Sequence, residues 1–158
     1  MHPEISRLLE QAEERYLQAN EIELFRRYAA SLARRMETYE LLREKEEPIF
    51  QPVADNLVKA FPNENQETLE RSLKHWLLIV RYCATAMLLS DPEFLQLRLQ
   101  DWMKGLVETH NTQPIEEKIY QLLLASLKKH LSEKQLPLLL PFVDQAKKIL
   151  LAESAGLS

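Results

Sequence analysis

Apolar residues recur along the chain at intervals of three and four positions, the repeat of an amphipathic α-helix. The first stripe runs through Ile5, Leu8, Leu9, Ala12 and Tyr16. Prolines and small polar residues divide the pattern into seven helical segments. The segments are predicted from Pro3 to about Leu17, from Asn20 to about Lys45, up to about Phe61, and over about 67–89, 91–109, 112–131 and 132–152.

Boundary residues and glycine usage support this division. Asn20 and Glu23 have the spacing of a capping box. Four prolines interrupt, bend or delay predicted helices, namely Pro48, Pro52, Pro137 and Pro141. The chain has only 2 glycines, although the tight turns of sheet proteins and phosphate-binding loops need glycine. The sequence therefore predicts an all-α fold without a nucleotide-binding motif.

Length and composition indicate one folded domain, which we expect to span residues 1–158. Hydrophobic residues make up 46% of the chain and charged residues 28%, the balance of a folded protein. The 24 acidic and 20 basic residues are spread along the chain and give a net charge of -4, so no basic block favours nucleic acid or an anionic membrane. Partners are therefore expected to be proteins or small ligands.

The lack of a secretory signal and of a membrane-spanning stretch favours a reducing compartment. The amino terminus lacks the basic start and apolar run of a secretory signal, and no apolar stretch reaches the roughly 20 residues that span a bilayer. A single cysteine cannot form an internal disulfide. These features predict a cytoplasmic protein with no transmembrane segment.

The segment "RSLKHWLLIVRYC", Arg71 to Cys83, combines a serine, a lysine, a histidine and the only cysteine on one predicted buried helix. We predict that Cys83 is a small buried hydrophobe, and that Trp76 and Trp102 are core or interface anchors. His75 leaves a haem-ligand hypothesis open, although a lone helical histidine is usually structural or exposed.

Catalytic and metal-binding patterns are weak in this sequence. The histidines are isolated from one another and from the cysteine, so no metal site is expected. They are His2, His75, His110 and His130. The carboxylates of "EKEEP" (44–48) and "IEEK" (115–118) have the spacing of solvated helix faces. The sequence therefore nominates no catalytic residue and predicts a protein that is not an enzyme and uses no cofactor.

Two stretches resemble the phycobiliproteins, the allophycocyanin and phycocyanin subunits of the cyanobacterial antenna. "RYLQANEIELFRRYAASLARRMETYELLREKEEPIFQPVADNLVKAFP", residues 15–62, is similar to the family's R-[FY]-L-x-x-x-E-[IL] start, long helix and short helix ending in F-P or R-P. "SLKHWLLIVRYCATAMLLSD", residues 72–91, resembles the family's C-x-R-D…L-R-x-V-T-Y-x-x-x-x-G-D helix. The resemblance implies a globin-like bundle of six helices preceded by a two-helix hairpin, to which residues 3–20 contribute.

The bilin-attachment motif of that family is altered here. In the family the cysteine of C-x-R-D forms a thioether to a linear tetrapyrrole, the arginine pairs with a propionate, and the aspartate bonds the pyrrole nitrogens. These positions fall on Ser72, Lys74 and His75. Serine lacks thiolate reactivity, lysine lacks a bidentate fork, and histidine supplies no permanent negative charge. The connection from Pro62 to Ser72 is also shorter than the family's pigment-wrapping loop, so the bilin site is predicted to be degenerate and empty.

The resemblance also implies a subunit interface. Arg81, which precedes Tyr82, falls where the family has an arginine that crosses the interface to the partner subunit. In the family that arginine meets an acidic residue of the partner's first helix, and the position of this acidic residue is Gln11 here. Arg81 is equally well interpreted as a solvated helix residue that has no role in an interface. The apolar stripe of the first helix is expected to be covered by a second subunit, identical or not. The predicted interface residues are Leu8, Leu9, Tyr16, Arg81 and Tyr82.

Sequence and resemblance together predict a phycobiliprotein-like protein without pigment. We expect it to bind proteins during assembly, turnover or regulation of the phycobilisome or the photosystems, in the cytoplasm or on the cytoplasmic side of the thylakoid. The partner would be a second copy of the chain or a protein related to the phycobiliproteins or photosystems. The alternative is a carrier or sensor that holds a tetrapyrrole noncovalently, whether a bilin, a chlorophyll precursor or haem.

Overall fold

The structure is a computed structural model that describes residues 3–104 and 112–156. This part of the chain forms seven α-helices and no strands. The helices are α1 (Pro3–Glu14), α2 (Ala19–Glu44), α3 (Glu46–Ala60), α4 (Gln66–Leu89), α5 (Pro92–Lys104), α6 (Gln113–His130) and α7 (Leu136–Gly156). The all-α prediction is confirmed. The predicted end of the fifth helix near Thr109 lies outside the described residues.

Side chains close the turn between α1 and α2. The Gln18 backbone N–H donates to Oε1 of Glu21 at 2.9 Å, and Arg15 holds the same carboxylate through bonds of 2.8 and 3.1 Å. The capping residues are therefore Gln18 and Glu21, two positions before the predicted pair of Asn20 and Glu23. The cap is shifted because Arg15, the first residue after α1, fixes the Glu21 side chain against the start of α2.

The boundary between α2 and α3 lies at Lys45. Its backbone N–H donates to the Leu41 carbonyl at 2.8 Å and ends α2, and α3 begins at the next residue. Pro48 occupies the first turn of α3, where no intrahelical N–H bond is lost. Pro52 lies inside the helix. The interruption that the sequence assigned to the two prolines thus occurs just before them, and α3 continues through both.

The last helix begins later than its capping residue. Ser132 and Gln135 exchange hydrogen bonds, with the Ser132 N–H donating to Gln135 Oε1 at 3.0 Å and the Gln135 N–H donating to Ser132 Oγ at 3.1 Å. Helix α7 then starts at Leu136, with Pro137 in its first turn and Pro141 in its interior. The delay predicted from Pro137 is confirmed.

The core surrounds α4, which packs against α2, α3, α5, α6 and α7. Its largest fully buried side chains include Trp76, Leu57, Ile79, Met87 and Leu123. A buried hydroxyl inside this core is satisfied, because Ser126 Oγ donates to the Ile49 carbonyl at 2.6 Å and so joins α6 to α3. This arrangement gives α4 neighbours on several sides and makes it the element on which the candidate site is built.

The amino-terminal hairpin consists of α1 and the first half of α2. The first half of α2 is largely exposed, whereas Thr38 and Leu42 in its second half are buried. The second arm of the hairpin and the first helix of the bundle are therefore one continuous helix of 26 residues. Within the described ranges, no helix is long and apolar enough to cross a membrane.

Candidate functional site

The segment Arg71–Cys83 lies in α4, whose start is fixed by Asn65. The Asn65 side chain accepts a hydrogen bond from the Glu67 backbone N–H at 2.8 Å, as an N-cap residue does. From this start the 3.6-residue repeat turns Ser72 and Trp76 to the same side of the helix. Both are buried, with exposed fractions of 3% for Ser72 and 1% for Trp76.

The three residues at the attachment motif face different surroundings. Ser72 points into the core, Lys74 is exposed, and His75 is half-buried. The His75 ring meets the edge of Trp102 on α5, with the ring centroids 5.1 Å apart. Burial, followed by the positive charge of Arg71, lowers the pKa of His75, so the neutral imidazole is favoured at neutral pH. Ser72, Lys74 and His75 therefore differ in burial and in their contacts, and their role as a degenerate bilin site stays a prediction.

Ser72 instead belongs to a polar cluster with Trp76 and Glu116, here called the Ser72 cluster. Glu116 lies in the first turn of α6, and its Oε2 accepts a hydrogen bond from the Trp76 indole N–H. The Ser72 hydroxyl also lies close enough to this carboxylate to influence its pKa. Burial raises the pKa of Glu116, and the hydrogen bond from Trp76 and the nearby Ser72 hydroxyl partly oppose this rise. The cluster satisfies the polar atoms that α4 and α6 bury between them.

The role of Glu116 is not evident from the sequence. The spacing of "IEEK" predicts a solvated face, which is wrong for Glu116 because α6 turns this residue towards α4. A signal for it existed in Trp76, since a buried indole N–H nearly always finds an acceptor. The acceptor is 40 residues away along the chain, so no local pattern could identify it.

The apolar side of Trp76 is filled as well. Its ring packs against Tyr120 with centroids 5.9 Å apart, and Lys147 Nζ lies 4.3 Å from the centroid of the Tyr120 ring. The cavity beside Trp76, Glu116 and Tyr120 has a volume of about 10 Å³. That is about the space of one water molecule. Trp76 is thus a core anchor, as predicted.

Cys83 is fully buried, as predicted. Its thiol lies 3.5 Å from the Phe142 carbonyl, to which it can donate a weak hydrogen bond. Burial raises the pKa of this thiol far above its ordinary value, so the reactive thiolate is not available at neutral pH. Cys83 therefore offers no substitute for the missing attachment thiol.

The apolar stripe of α1 is divided between the interior and the surface. Ile5 and Leu8 are buried within the single chain, with exposed fractions of 3% and 7%, because α1 folds back on α2. The expectation that a second subunit covers Leu8 is thereby corrected. Leu9 is 44% exposed and Tyr16 is 98% exposed, so an interface role for these two stays a prediction.

Arg81 finds its partner inside the chain. Its Nε and Nη2 bind the two carboxylate oxygens of Glu46 at 2.7 and 3.0 Å. The pair lies at the rim of a pocket of about 250 Å³ between α2, α3 and α4, whose wall is formed by apolar residues such as Phe50 and Val80. Tyr82 is half-buried against the core. The role of Arg81 and Tyr82 in an interface between subunits stays a prediction.

Metal ligands are not clustered in the described residues, where no group of three or more histidine, cysteine or acidic side chains could hold an ion. His2 and His110 lie outside the described residues. Four features described above are candidates for a functional role: the Ser72 cluster, the solvated Lys74, the exposed part of the hairpin, and the pocket beside Arg81.

Comparison with known proteins places these features in a family. The model of the phycobilisome protein family matches residues 9–150, which includes the second half of α1, all of α2 to α6 and most of α7. No individual curated protein is significantly similar to the chain. The match extends over far more than half of the 158 residues and agrees with the all-α globin-like architecture. The chain belongs to the phycobilisome protein family.

Proposed function

We propose that this family member works without a covalently attached bilin, as a protein-binding module in the assembly, turnover or regulation of the phycobilisome or the photosystems. Phycobiliproteins assemble with other protein subunits and are generally light-harvesting proteins rather than enzymes. The proposal keeps the protein binding of the family and removes its photochemistry. It places the protein in the cytoplasm or at the cytoplasmic face of the thylakoid.

The observation that carries this proposal is the state of Ser72. The hydroxyl that stands at the attachment position is only 3% exposed and lies beside the Glu116 carboxylate. A hydroxyl does not add to a vinyl group as a thiolate does, and this one is also shielded from an incoming pigment. The indole of Trp76 occupies the same side of α4 and is held by the same carboxylate.

The exposed part of the hairpin supports the protein-binding half of the proposal. Leu9, Ile22 and Phe25 have exposed fractions of 44%, 45% and 39%, and Tyr16 is almost fully exposed. Exposed apolar side chains that are grouped on one pair of helices are typical of a surface that another protein covers. The hairpin projects such residues from both of its helices, so a partner could contact α1 and α2 together.

Production of the chain together with phycocyanobilin and bilin lyases tests the loss of the pigment. We expect no zinc-fluorescent band on a denaturing gel, whereas a phycocyanin subunit made in the same cells provides the positive control. A fluorescent band from the wild-type chain would contradict the proposal. A visible absorbance that is lost on denaturation would support the noncovalent tetrapyrrole carrier instead.

Cross-linking in a cyanobacterial lysate tests the binding role. Wild-type protein should recover subunits of the phycobilisome or photosystems, and the Leu9→Asp variant should recover less of the same subunits because it places a charge on the exposed hairpin. The Glu117→Gln variant, which changes an exposed charge on α6, serves as the matched control. Equal recovery with all three proteins would contradict the assignment of the hairpin as the binding surface.

A further inference from the structure

A third cavity lies at the base of the hairpin, away from the Ser72 cluster. It has a volume of about 350 Å³ and is bordered by α1, α2 and the end of α4. Its walls include Ile5, Leu24, Arg27, Ser31, Arg35 and Ser90. This volume falls in the lower part of the range that small-molecule sites occupy. The polar part of the wall comes mainly from α2 and the α4 terminus, and Ile5 and Leu24 contribute apolar surface.

Arg35 is the unusual residue of this wall. It is only 6% exposed, and its Nη1 donates a hydrogen bond to the Leu88 carbonyl. Its Nε has no hydrogen-bond partner, and no described carboxylate forms an ion pair with the guanidinium. A buried cation without a compensating anion is costly, and arginines in protein interiors are normally paired. The structure therefore contains a buried positive charge whose counter-ion does not come from the described side chains.

The chain itself shows what Arg35 lacks. Arg81 uses its Nε and Nη2 to hold both oxygens of Glu46, which is the side-on geometry that guanidinium groups adopt with carboxylates and phosphates. The corresponding Nε of Arg35 is unpaired and closed off from solvent. An oxyanion in the cavity would therefore pair with the part of the guanidinium that borders the cavity, while Nη1 remains bound to the α4 terminus and fixes the orientation of the group.

The other wall residues suit an anion with a small apolar body. Arg27 adds a second cation, which forms a 3.8 Å pair with Glu23, and Ser31 and Ser90 supply hydroxyl groups. Glu4 contributes an acidic side chain, so the described wall carries two cations and one carboxylate. Leu24 and the ring of Tyr28, over which Arg35 lies at 5.9 Å, provide the apolar surface.

We propose that this cavity binds a small molecule bearing an oxyanion, a carboxylate or a phosphate, which pairs with Arg35 and lays a short apolar body against Ile5 and Leu24. Such a ligand would bridge α1, α2 and the end of α4, and would hold the hairpin against the bundle. The site is independent of the bilin position, since it shares no lining residue with the Ser72 cluster.

Thermal unfolding and calorimetry of the full chain test the proposal with four probes. Inorganic phosphate and acetate supply the oxyanion alone, and phenyl phosphate and benzoate add an apolar ring; sodium chloride at equal ionic strength is the salt control. We expect saturable binding of at least one probe, with a Tm rise of roughly 5–10 °C at about 100 times its Kd. Stronger binding of the ring-bearing probes would identify an organic ligand, and stronger binding of phosphate would identify the free ion.

The variants decide whether Arg35 is responsible. Arg35→Met should abolish the probe-dependent Tm rise. Arg34→Met, which removes an exposed positive charge at the preceding position, should retain this rise. Ser31→Ala keeps Arg35 and should weaken binding several-fold, which provides a test if Arg35→Met does not fold. An equal Tm rise in wild type and Arg35→Met, or no saturable response to any probe, would overturn the proposal. The proposal would also be overturned if wild type bound no probe and the Arg35→Met substitution changed the sedimentation of the protein. The carboxylate that pairs with Arg35 would then belong to a partner protein.

Discussion

Glu116 offers the sharpest test of the proposal that the bilin position is closed. Two substitutions separate its charge from its hydrogen-bonding capacity. Glu116→Leu removes both and leaves the Trp76 indole N–H buried without its acceptor. Glu116→Gln removes the charge and keeps one carbonyl oxygen as an acceptor. The exposed neighbour Glu117 provides a matched control, because Glu117→Gln makes the same chemical change in solvent.

The expected magnitudes follow from the cost of an unsatisfied buried donor. Leaving one such group without its partner costs about 1–3 kcal/mol. Glu116→Leu should therefore lower the free energy of unfolding by at least about 1–3 kcal/mol, which corresponds to a Tm decrease of roughly 2–12 °C for a chain of this length. Glu116→Gln should be close to wild type, and Glu117→Gln should change stability by less than about 0.5 kcal/mol.

The pH dependence distinguishes the charge from the hydrogen bonds. Burial raises the pKa of Glu116 above its ordinary value of 4.5, with the bond from Trp76 and the nearby Ser72 hydroxyl in opposition. A carboxyl whose folded pKa is raised binds its proton more tightly in the folded state, so it favours folding below its unfolded pKa. That contribution is lost as the pH rises through the folded pKa. The stability of Glu116→Gln relative to wild type should therefore increase with pH from about 4.5 upwards.

Urea unfolding of the four proteins, followed at several pH values from about 4 to 8, checks both predictions. The reasoning would be refuted if Glu116→Gln were as unstable as Glu116→Leu at neutral pH, since the carboxylate charge would then be the stabilising feature. It would equally fail if the difference between Glu116→Gln and wild type did not change with pH.

Four further substitutions test the attachment position, the hairpin and the ion pair. Ser72→Cys alone should give at most a weakly fluorescent adduct with phycocyanobilin, because the new thiol would be buried; a sharp, strongly red-emitting product would contradict this. Leu9→Asp should reduce association in sedimentation experiments without loss of stability, whereas Leu8→Asp should lower Tm because it buries a charge, and the reverse ranking would refute the division of the α1 stripe. Arg81→Ala should cost at most about 1 kcal/mol, because its pair with Glu46 is exposed, and a larger loss in urea unfolding would show that the pair orders α3.

Much of the fold could be predicted from the sequence because helices are local structures. The apolar repeat and the capping residues located seven helices, and most boundaries differ from the structure by only a few residues. Errors occurred where a distant or charged side chain determined the boundary. Arg15 moved the cap of α2 to Gln18, whereas the end of α2 at Lys45 lies where it was predicted.

The site was less predictable because its contacts join residues that are far apart along the chain. The altered motif identified Ser72, but the pairing of Glu116 with Trp76 depends on how α6 crosses α4. Leu8 shows the same difficulty. Its place on an apolar stripe was evident, but whether α2 or a second subunit covers it depends on the angle of the hairpin. The burial of Arg35 could not be predicted either, because an arginine in a charged helix usually lies in solvent.

We propose that the bilin site has changed by more than one residue, because Ser72 lies in the Ser72 cluster. A thiol at position 72 would stand beside the Glu116 carboxylate and away from water, and both conditions disfavour a thiolate. Trp76, one turn from Ser72, is also fixed in place, because its indole N–H is bound to Glu116 and its ring packs on Tyr120. Because each residue of the cluster is held by another, reversal of one substitution leaves the others in place. Restoration of a pigment site should therefore require coordinated changes at Ser72, Trp76 and Glu116.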